Sequence, residues 1–289
     1  MKEIVKEKIA SLLSGDEEIQ SVEQLGGMTN QNYLVQTSSN QYIVKFFGKG
    51  TDKLIDRQNE KFNLELLKDL KLDVENYLFD IDAGIKVNQY IENAETLDST
   101  TIKTKFEKIA PILQTIHASG KELKGEFAPF EEIKKYESLI QGEISYPNYE
   151  DVRKSVFSLK DQLEEIGMDK KSCHIDLVPE NFIEGPDGHL YLIDWEYSSM
   201  NDPMWDLAAL FLESEFTSAE EEDFLSHYES DKTPVSRDKI RIYKILQDII
   251  WSLWTIYKEE NGADFGDYGI SRYNRAVKEI DCEGDLDEN

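Results

Sequence analysis

The stretch HIDLVPENF, residues 174–182, places an acid and an amide beside a proline turn. His174 opens the stretch, Asp176 follows two residues later, and Asn181 comes five residues after that acid. A further acid, Asp194, stands in the downstream sequence LIDWE. Phosphoryl transfer needs a carboxylate that orients the attacking hydroxyl and accepts its proton, and it needs oxygen ligands for Mg²⁺. Asp176, Asn181 and Asp194 meet these needs, and His174 would brace the loop.

These residues also have an ordinary structural interpretation. Asp176 and Asn181 would then be solvated loop residues, and Asp194 would close a hairpin. The spacing by itself is only suggestive, because such short patterns arise by chance. Its position before a predicted hairpin, with a turn at Pro186-Asp187-Gly188, favours the catalytic interpretation.

A second candidate is Lys45, which stands inside the apolar strand segment YIVKFF. A lysine there is costly unless it is paired or used. Glu60, on the helix predicted to follow, is a candidate partner, and Lys45 would then hold ATP phosphates. The alternative is an edge-strand lysine that reaches water. Gly26 and Gly27 in the turn GGMTNQNY would let backbone amides approach phosphate, although two glycines often mark only a hairpin turn.

Two regions of different periodicity must position these residues. Residues 1–91 combine an amphipathic N-terminal helix, alternating strand segments and a helical segment at 52–70. Residues 92–289 are mainly helical, with Gly167 as a C-cap signal and a capping box predicted from Ser218 to Glu221. The pattern predicts an α+β fold with two lobes: a small antiparallel β-sheet lobe with one inserted helix, and a mainly helical lobe.

The composition limits the classes of function. The chain has 289 residues, with 32 basic and 59 acidic side chains and a net charge of −27, which argues against a nucleic-acid partner. Its two cysteines, Cys173 and Cys282, predict no disulfide framework. Neither a signal peptide nor a membrane-spanning stretch stands out. We therefore expect a cytoplasmic protein without membrane insertion, and the sequence predicts no oligomeric state.

From LGGMTNQNY to FGDYGISRY the chain resembles the choline/ethanolamine kinases, within the wider protein-kinase-like and aminoglycoside phosphotransferase-like group. HIDLVPEN and LIDWEYSSMNDPMWDLA carry this resemblance, and bacterial choline kinases whose phosphocholine decorates cell-surface polymers are the most similar. The resemblance implies a bilobal protein-kinase-like fold with ATP and Mg²⁺ as cofactors. It implies that Asp176 is the base, that Asn181 and Asp194 bind Mg²⁺, and that Lys45 contacts ATP phosphates and pairs with Glu60.

The resemblance also assigns residues to the rest of the nucleotide. The backbone of Gln89 and Ile91 would bond adenine between the lobes. The full nucleotide-binding set adds Gly27, Met28, Thr29 and Asn30 in the turn and Tyr90 beside Gln89 and Ile91.

Departures from the protein-kinase pattern favour a small-molecule substrate. Ile175 and Val178 replace the Arg and Lys of the protein-kinase catalytic loop, and Trp195-Glu196 replaces Phe-Gly. About ten residues separate Asp194 from the next helix near Met204, which is too short for a peptide-docking platform. The sequence assigns no role to Glu196.

Trp251 and Trp254 stand three residues apart and share one helix face. Aromatic faces bind quaternary ammonium groups through cation–π attraction, although a Trp stripe is also typical of a helix core. Other aromatic candidates are Tyr268 on the next helix, and Tyr197 and Trp205 after Asp194. The resembled choline kinases build their pocket from aromatics that match Trp251, Trp254 and Tyr268, with an acid that matches Glu213.

We therefore predict an ATP-dependent choline kinase that gives phosphocholine and ADP. One alternative is a kinase of another small amino alcohol or polyol, such as ethanolamine or an aminoglycoside-like compound. Another is a nucleotide-binding pseudokinase, which the intact Lys45, Asp176, Asn181 and Asp194 disfavour. A protein kinase is disfavoured by the short segment after Asp194. The sequence does not predict the preference between choline and ethanolamine.

Overall fold

The N-terminal part of the chain forms a five-stranded antiparallel sheet in the order β1-β2-β3-β5-β4. The computed structural model describes residues 2–9, 12–13, 17–27, 30–48 and 50–287. The strands are β1 (Ile19–Gln24), β2 (Gln31–Thr37), β3 (Gln41–Phe46), β4 (Asn76–Asp80) and β5 (Ile85–Gln89). Helix α1 (Lys2–Ile9) precedes the sheet, and α2 (Arg57–Leu67) lies between β3 and β4. The predicted small sheet with one inserted helix is confirmed.

Alternation along the strands gives the sheet two different faces. Val44 of β3 and Val87 of β5 point into a small hydrophobic core that α1 covers with Val5 and Ile9. The neighbouring residue on β3, Lys45, therefore points to the other face, where it lies opposite Lys86 of β5. Both lysines are buried. The sheet thus presents two adjacent lysines on the face away from its own core.

The remainder of the chain is mainly helical, as predicted. Its helices are α3 (Phe106–His117), α4 (Pro129–Leu139), α5 (Tyr149–Ile166), α6 (Pro203–Glu213), α7 (Ser218–Tyr228), α8 (Arg237–Glu260) and α9 (Tyr268–Asp287). Five short strands lie among them: β6 (Glu95–Thr96), β7 (Lys171–Cys173), β8 (Phe182–Glu184), β9 (Leu190–Leu192) and β10 (Ser199–Asn201). Strands β8 and β9 form the predicted hairpin, β6 extends it, and β7 pairs with β10.

Helix α8 is the central element of the helical part, because most of its side chains are buried and it packs against α4, α6 and α9. Gly269 permits close packing of α9 on α8: a Cβ at this position would lie 2.9 Å from the Cβ of Thr255. The large hydrophobic core around α8 is separate from the core of the sheet. Helix α2 joins the larger core through Leu67. The boundary at residue 91 stays a prediction.

Helix caps fix several boundaries near the helical core. Gly167 ends α5 with φ +88° and donates its N–H to the carbonyl of Leu163, as predicted. The capping box of α7 was predicted one residue too late. Thr217 is the N-cap, and its side chain and that of Glu220 form the reciprocal bonds. Both registers fit the same sequence pattern, so the sequence could not separate them. Among the described residues, no helix is long and apolar enough to cross a membrane.

Candidate active site

The loop after β7 is held by one buried acid on α6. The backbone N–H groups of His174 and Ile175 each donate to the carboxylate of Asp206, at 2.8 Å. The indole of Trp205 donates to the carbonyl of Ile175 at 3.0 Å, and the ring of His117 lies 3.1 Å from Asp206. Ile175 has a left-handed backbone with φ +77°, a strained conformation for a branched side chain. Asp206 therefore fixes a strained loop two residues before Asp176.

Asp206 was not predicted as a site residue, although the sequence contains a signal for it. It is the lone acid in the apolar run MWDLAALFL, and an unpaired acid on a buried helix is costly. Trp205, a candidate for the aromatic pocket, instead lies in the hydrophobic core beside Phe127 and Tyr243. Its contribution to the site is the bond to the loop.

His174 connects this loop to the strand that leads to Asp194. Its Nε2 lies 2.9 Å from the carbonyl oxygen of Ile193, and its ring packs edge-on against Trp195. Burial lowers the pKa of His174, so the ring is neutral at neutral pH. These contacts are consistent with the predicted bracing role.

Asp176, Asn181 and Asp194 come together between the loop and the hairpin. The side-chain amide of Asn181 donates to the carbonyl of Asp176 at 2.8 Å, which leaves the amide oxygen of Asn181 available. The carboxylate of Asp176 makes no hydrogen bond or ion pair with the described part of the chain. Asp194 has a left-handed backbone with φ +68°, and its carboxylate lies 2.6 Å from the Nζ of Lys45.

The two acids have opposite shifts in pKa. Burial raises the pKa of Asp176 to about 8, and the nearby charges of Asp194 and Glu213 add to the effect. Burial would also raise the pKa of Asp194, but Lys45 and Lys86 outweigh it and lower the pKa to about 2. The site therefore pairs a permanently ionised acid with one that binds a proton readily.

The predicted pairing of Lys45 with Glu60 is wrong in this structure. Lys45 pairs with Asp194, while Glu60 lies 2.6 Å from Lys86 and 2.6 Å from Arg57. The strand register explains the difference, because it places Lys45 and Lys86 side by side on one face. Either lysine can face α2, and Lys86 makes the contact with Glu60. Sequence analysis missed Lys86 and Arg57.

The turn between β1 and β2 is tied to the segment after Asp194. The side chain of Asn30 donates to Glu196 at 2.7 Å and accepts from Arg57 at 3.0 Å. Arg57 also lies 2.9 Å from Glu196, the acid to which the sequence assigned no role. Gly27 has φ +154°, and a Cβ there would lie 2.6 Å from Asn32. Met28 and Thr29, two predicted nucleotide-binding residues, lie outside the described residues.

The predicted adenine-binding segment lies where the sheet leads into the helical part. Gln89 ends β5, and its N–H donates to the carbonyl of Glu75 at 2.8 Å. Tyr90 and Ile91 follow outside the strand. Their position between the two parts agrees with the predicted location, and their contact with adenine stays a prediction.

Five aromatic side chains form a continuous series of ring contacts, the aromatic arc. Neighbouring ring centroids along the arc are 5.0–6.5 Å apart. In order, the members are Tyr197, Trp251, Trp254, Phe265 and Tyr268. The negative charge of Asp176 contributes to a raised pKa at both ends of the arc, after the larger effect of burial. The structure thus brings Tyr197, Trp251, Trp254 and Tyr268 together, and it adds Phe265, which sequence analysis missed.

Glu213, at the end of α6, does not stand alone beside this arc. The Nη1 atom of Arg272 lies 2.6 Å from Glu213 and 2.7 Å from the hydroxyl of Tyr268. The guanidinium of Arg272 also packs against the Tyr268 ring, 5.2 Å from its centroid. Arg272 was missed, because it lies on α9 and nothing local in the sequence links it to Glu213.

Comparisons with known proteins agree with this geometry. The sequence model of the choline/ethanolamine kinase family matches residues 22–239. The chain is 32% identical to protein LicA of Haemophilus influenzae over 88% of this chain and 78% of that protein. The structure of choline kinase LicA from Streptococcus pneumoniae is 76% identical, with a TM-score of 0.95, over 98% of this chain and 99% of that one.

A LicA structure in complex with AMP is 78% identical, with a TM-score of 0.92, over 97% of this chain and 98% of that chain. The family match covers more than half of the chain, and the site has the lysine, acids and amide expected of an ATP-dependent phosphotransferase. This protein therefore belongs to the choline/ethanolamine kinase family.

Proposed function

We propose that the protein transfers the γ-phosphate of ATP to the hydroxyl of choline, giving phosphocholine and ADP. The observation that carries this proposal is the position of Asp176. Its carboxylate bonds none of the described residues and is partly buried. Its charge acts on Tyr197 and Tyr268, the two ends of the aromatic arc, and the charge of Asp194 acts on it. A cation held by the arc would present its hydroxyl near the acid. The similarity to the LicA choline kinase supports the choice of substrate.

Asp176 acts as the general base. A carboxylate with a raised pKa is a stronger proton acceptor than an exposed one. The positive charge of bound choline lowers the pKa of Asp176 and so favours its ionised form. Asp176 then orients the hydroxyl of choline and takes its proton as the phosphate is transferred. The bonds from Asp206 to the preceding backbone hold Asp176 in place.

The donor set fits Mg²⁺. Among the described residues none donates to the amide oxygen of Asn181, and Asp194 is ionised and contacts Lys45 through Oδ1. Both are hard oxygen ligands of the kind that Mg²⁺ prefers. Asn181 and Asp194 would hold the ion, which supplies charge neutralisation on the phosphate oxygens.

The nucleotide occupies the space between the sheet and the helical part. Lys45 holds the ATP phosphates, and its charge also keeps Asp194 ionised. The backbone of Gln89 and Ile91 bonds adenine, beside Tyr90. Gly27 and Asn30 lie toward the phosphates, and Glu196 and Arg57 hold the side chain of Asn30.

The aromatic arc binds the trimethylammonium group. Trp and Tyr faces attract a cation through their ring quadrupoles, by about 0.5–2 kcal/mol for each ring. Trp251 and Trp254 have exposed fractions of only 9% and 6%, so a cation that contacts them would lie in a place with little water, where the attraction is stronger.

A coupled assay of ADP release tests the proposal on a panel of alcohols. Choline should be the best acceptor, ethanolamine should be weaker, and 3,3-dimethylbutanol, the uncharged carbon isostere of choline, should be poor. D176N should lower kcat for choline by about 10²–10⁴-fold, the usual effect of a lost general base. ADP release that does not depend on choline, or normal kcat in folded D176N, would contradict the proposal.

A further inference from the structure

Four charged residues form a cluster beside Tyr268, the last ring of the aromatic arc, and two of them, Arg272 and Asp248, are buried. Arg272 lies between two acids: Glu213, at 2.6 Å, and Asp248 of α8, at 3.1 Å. Arg275 completes the cluster with two bonds of 2.6 Å to Asp248. Arg272 is only 4% exposed, so its charge requires close acids. Two acids and two guanidinium groups give the cluster no net charge.

The contact between Arg272 and Glu213 changes the charge beside the proposed substrate site. Arg272 bonds both Glu213 and the hydroxyl of Tyr268, so the carboxylate of Glu213 lies close to the last ring of the arc. Arg272 cancels much of the charge of Glu213 and occupies one of its carboxylate oxygens. The same nitrogen of Arg272 bonds the hydroxyl of Tyr268, the last ring of the arc. The part of the site near Tyr268 therefore presents an aromatic ring face and a carboxylate whose charge Arg272 neutralises.

A surface of this kind distinguishes primary from quaternary ammonium groups. A primary ammonium is strongly hydrated and has three N–H donors that need acceptors when it leaves water. A quaternary ammonium has no N–H donor, and aromatic faces alone satisfy it. A free carboxylate at Glu213 would favour the primary ammonium more than the quaternary one.

We propose that Arg272 is a specificity-determining positioning residue, which selects quaternary over primary ammonium substrates by engaging Glu213. This inference rests on the proposed function, because it assumes that the arc holds the ammonium group. Specificity is measured as the ratio of kcat/KM for choline to kcat/KM for ethanolamine. A purely structural role for Arg272 would lower both values together and leave the ratio unchanged.

The test compares R272M with R275M. In R272M, Glu213 loses its partner, and we expect the choline-to-ethanolamine ratio to fall at least about fivefold, which corresponds to about 1 kcal/mol for one ion pair. R275M is the matched control, because Arg275 bonds Asp248 but neither Glu213 nor Tyr268. Its ratio should stay within about twofold of wild type. An unchanged ratio in active R272M would overturn the inference.

The double variant E213Q/R272M separates charge from ring placement. It removes both charges and leaves Tyr268 without its guanidinium partner. We expect its ratio to return to within about twofold of wild type, because replacing both members of an ion pair leaves no lone charge. A ratio as low as that of R272M would mean that Tyr268 placement sets specificity, which overturns the proposal.

The same double variant decides the matter if R272M does not fold. E213Q alone leaves the charge of Arg272 beside the substrate cation, so kcat/KM for choline should fall. The double variant should recover that loss, whereas a structural role predicts a further loss. Failure of the wild-type protein to phosphorylate choline would contradict the proposed function itself and is recognised before any variant is compared.

Discussion

Replacing Asp176 with Asn should stabilise the free protein while it removes catalysis. Folding shifts the pKa of Asp176 from 3.8 to about 8, so the folded state disfavours the ionised form. A group whose pKa is raised by folding contributes stability below its unfolded pKa, and that contribution is lost as the pH rises toward the folded pKa. Between about pH 4 and pH 8 folding therefore requires Asp176 to take up a proton that the unfolded chain has lost, and the cost in stability grows with pH until it levels off above pH 8. The amide of D176N cannot ionise and escapes this cost.

The size of the effect follows from the shift. At pH 7 the solution pH lies about three units above the unfolded pKa of Asp176. At 1.36 kcal/mol per unit, the raised pKa lowers the free energy of unfolding by about 4 kcal/mol. Asp176 is partly exposed, and solvent screening lowers the gain that we expect to about 1–2 kcal/mol. The melting temperature should rise by about 2–5 °C. The gain should be largest near pH 8 and should shrink toward pH 4.

Differential scanning calorimetry from pH 5 to pH 8, without nucleotide or Mg²⁺, measures this difference. D206N is the matched control, because Asp206 lies in the same part of the fold but accepts bonds from two backbone amides. Loss of those bonds should lower the melting temperature of D206N by several degrees. A D176N protein that is less stable than wild type, or a gain that does not vary with pH, would refute the reasoning.

Three further variants test neighbouring parts of the site. K45M should raise the KM for ATP by about tenfold or more and should cost less stability than K86M, because Asp194, the partner of Lys45, has a 26% exposed side chain that water can solvate. K86M should cost about 3–5 kcal/mol of stability, because its partner Glu60 is fully buried. Equal loss of stability in both lysine variants would contradict the assignment of Glu60 to Lys86. W254L should raise the KM for choline by about 2- to 30-fold and leave the KM for ATP unchanged. Calorimetric titration with choline that shows no change in W254L would identify Trp254 as a core residue only.

The long elements of the fold were predictable because their patterns extend over many residues. Helix α8 and strands β2 and β3 carry a clear period, and the structure has them where the sequence predicts. Strands β7 and β10 were missed, because three residues carry no measurable period. Their pairing joins segments about 30 residues apart, so only the folded chain reveals it.

The residues of the candidate site were likewise predictable only where they lie close together in the sequence. Asp176, Asn181 and Asp194 were found because one loop and one hairpin hold them at a short, regular spacing. Asp206 and Arg272 were missed because their partners come from other elements. The wrong partner for Glu60 has a related cause. Strand alternation predicts that Lys45 faces inward, but only the register of β3 and β5 shows that Lys86 lies beside it.

The anchoring of Asp176 to α6 has a consequence for protein engineering. Through Asp206 the proposed base, Asp176, is attached to the helical part of the molecule, which also supplies Trp251, Trp254 and Tyr268 from α8 and α9. Every proposed contact with the acceptor alcohol therefore comes from one structural module, and the nucleotide-facing lysine comes from the other. A mutant library confined to α6, α8 and α9 can be screened for new acceptor alcohols without redesign of the ATP-binding sheet.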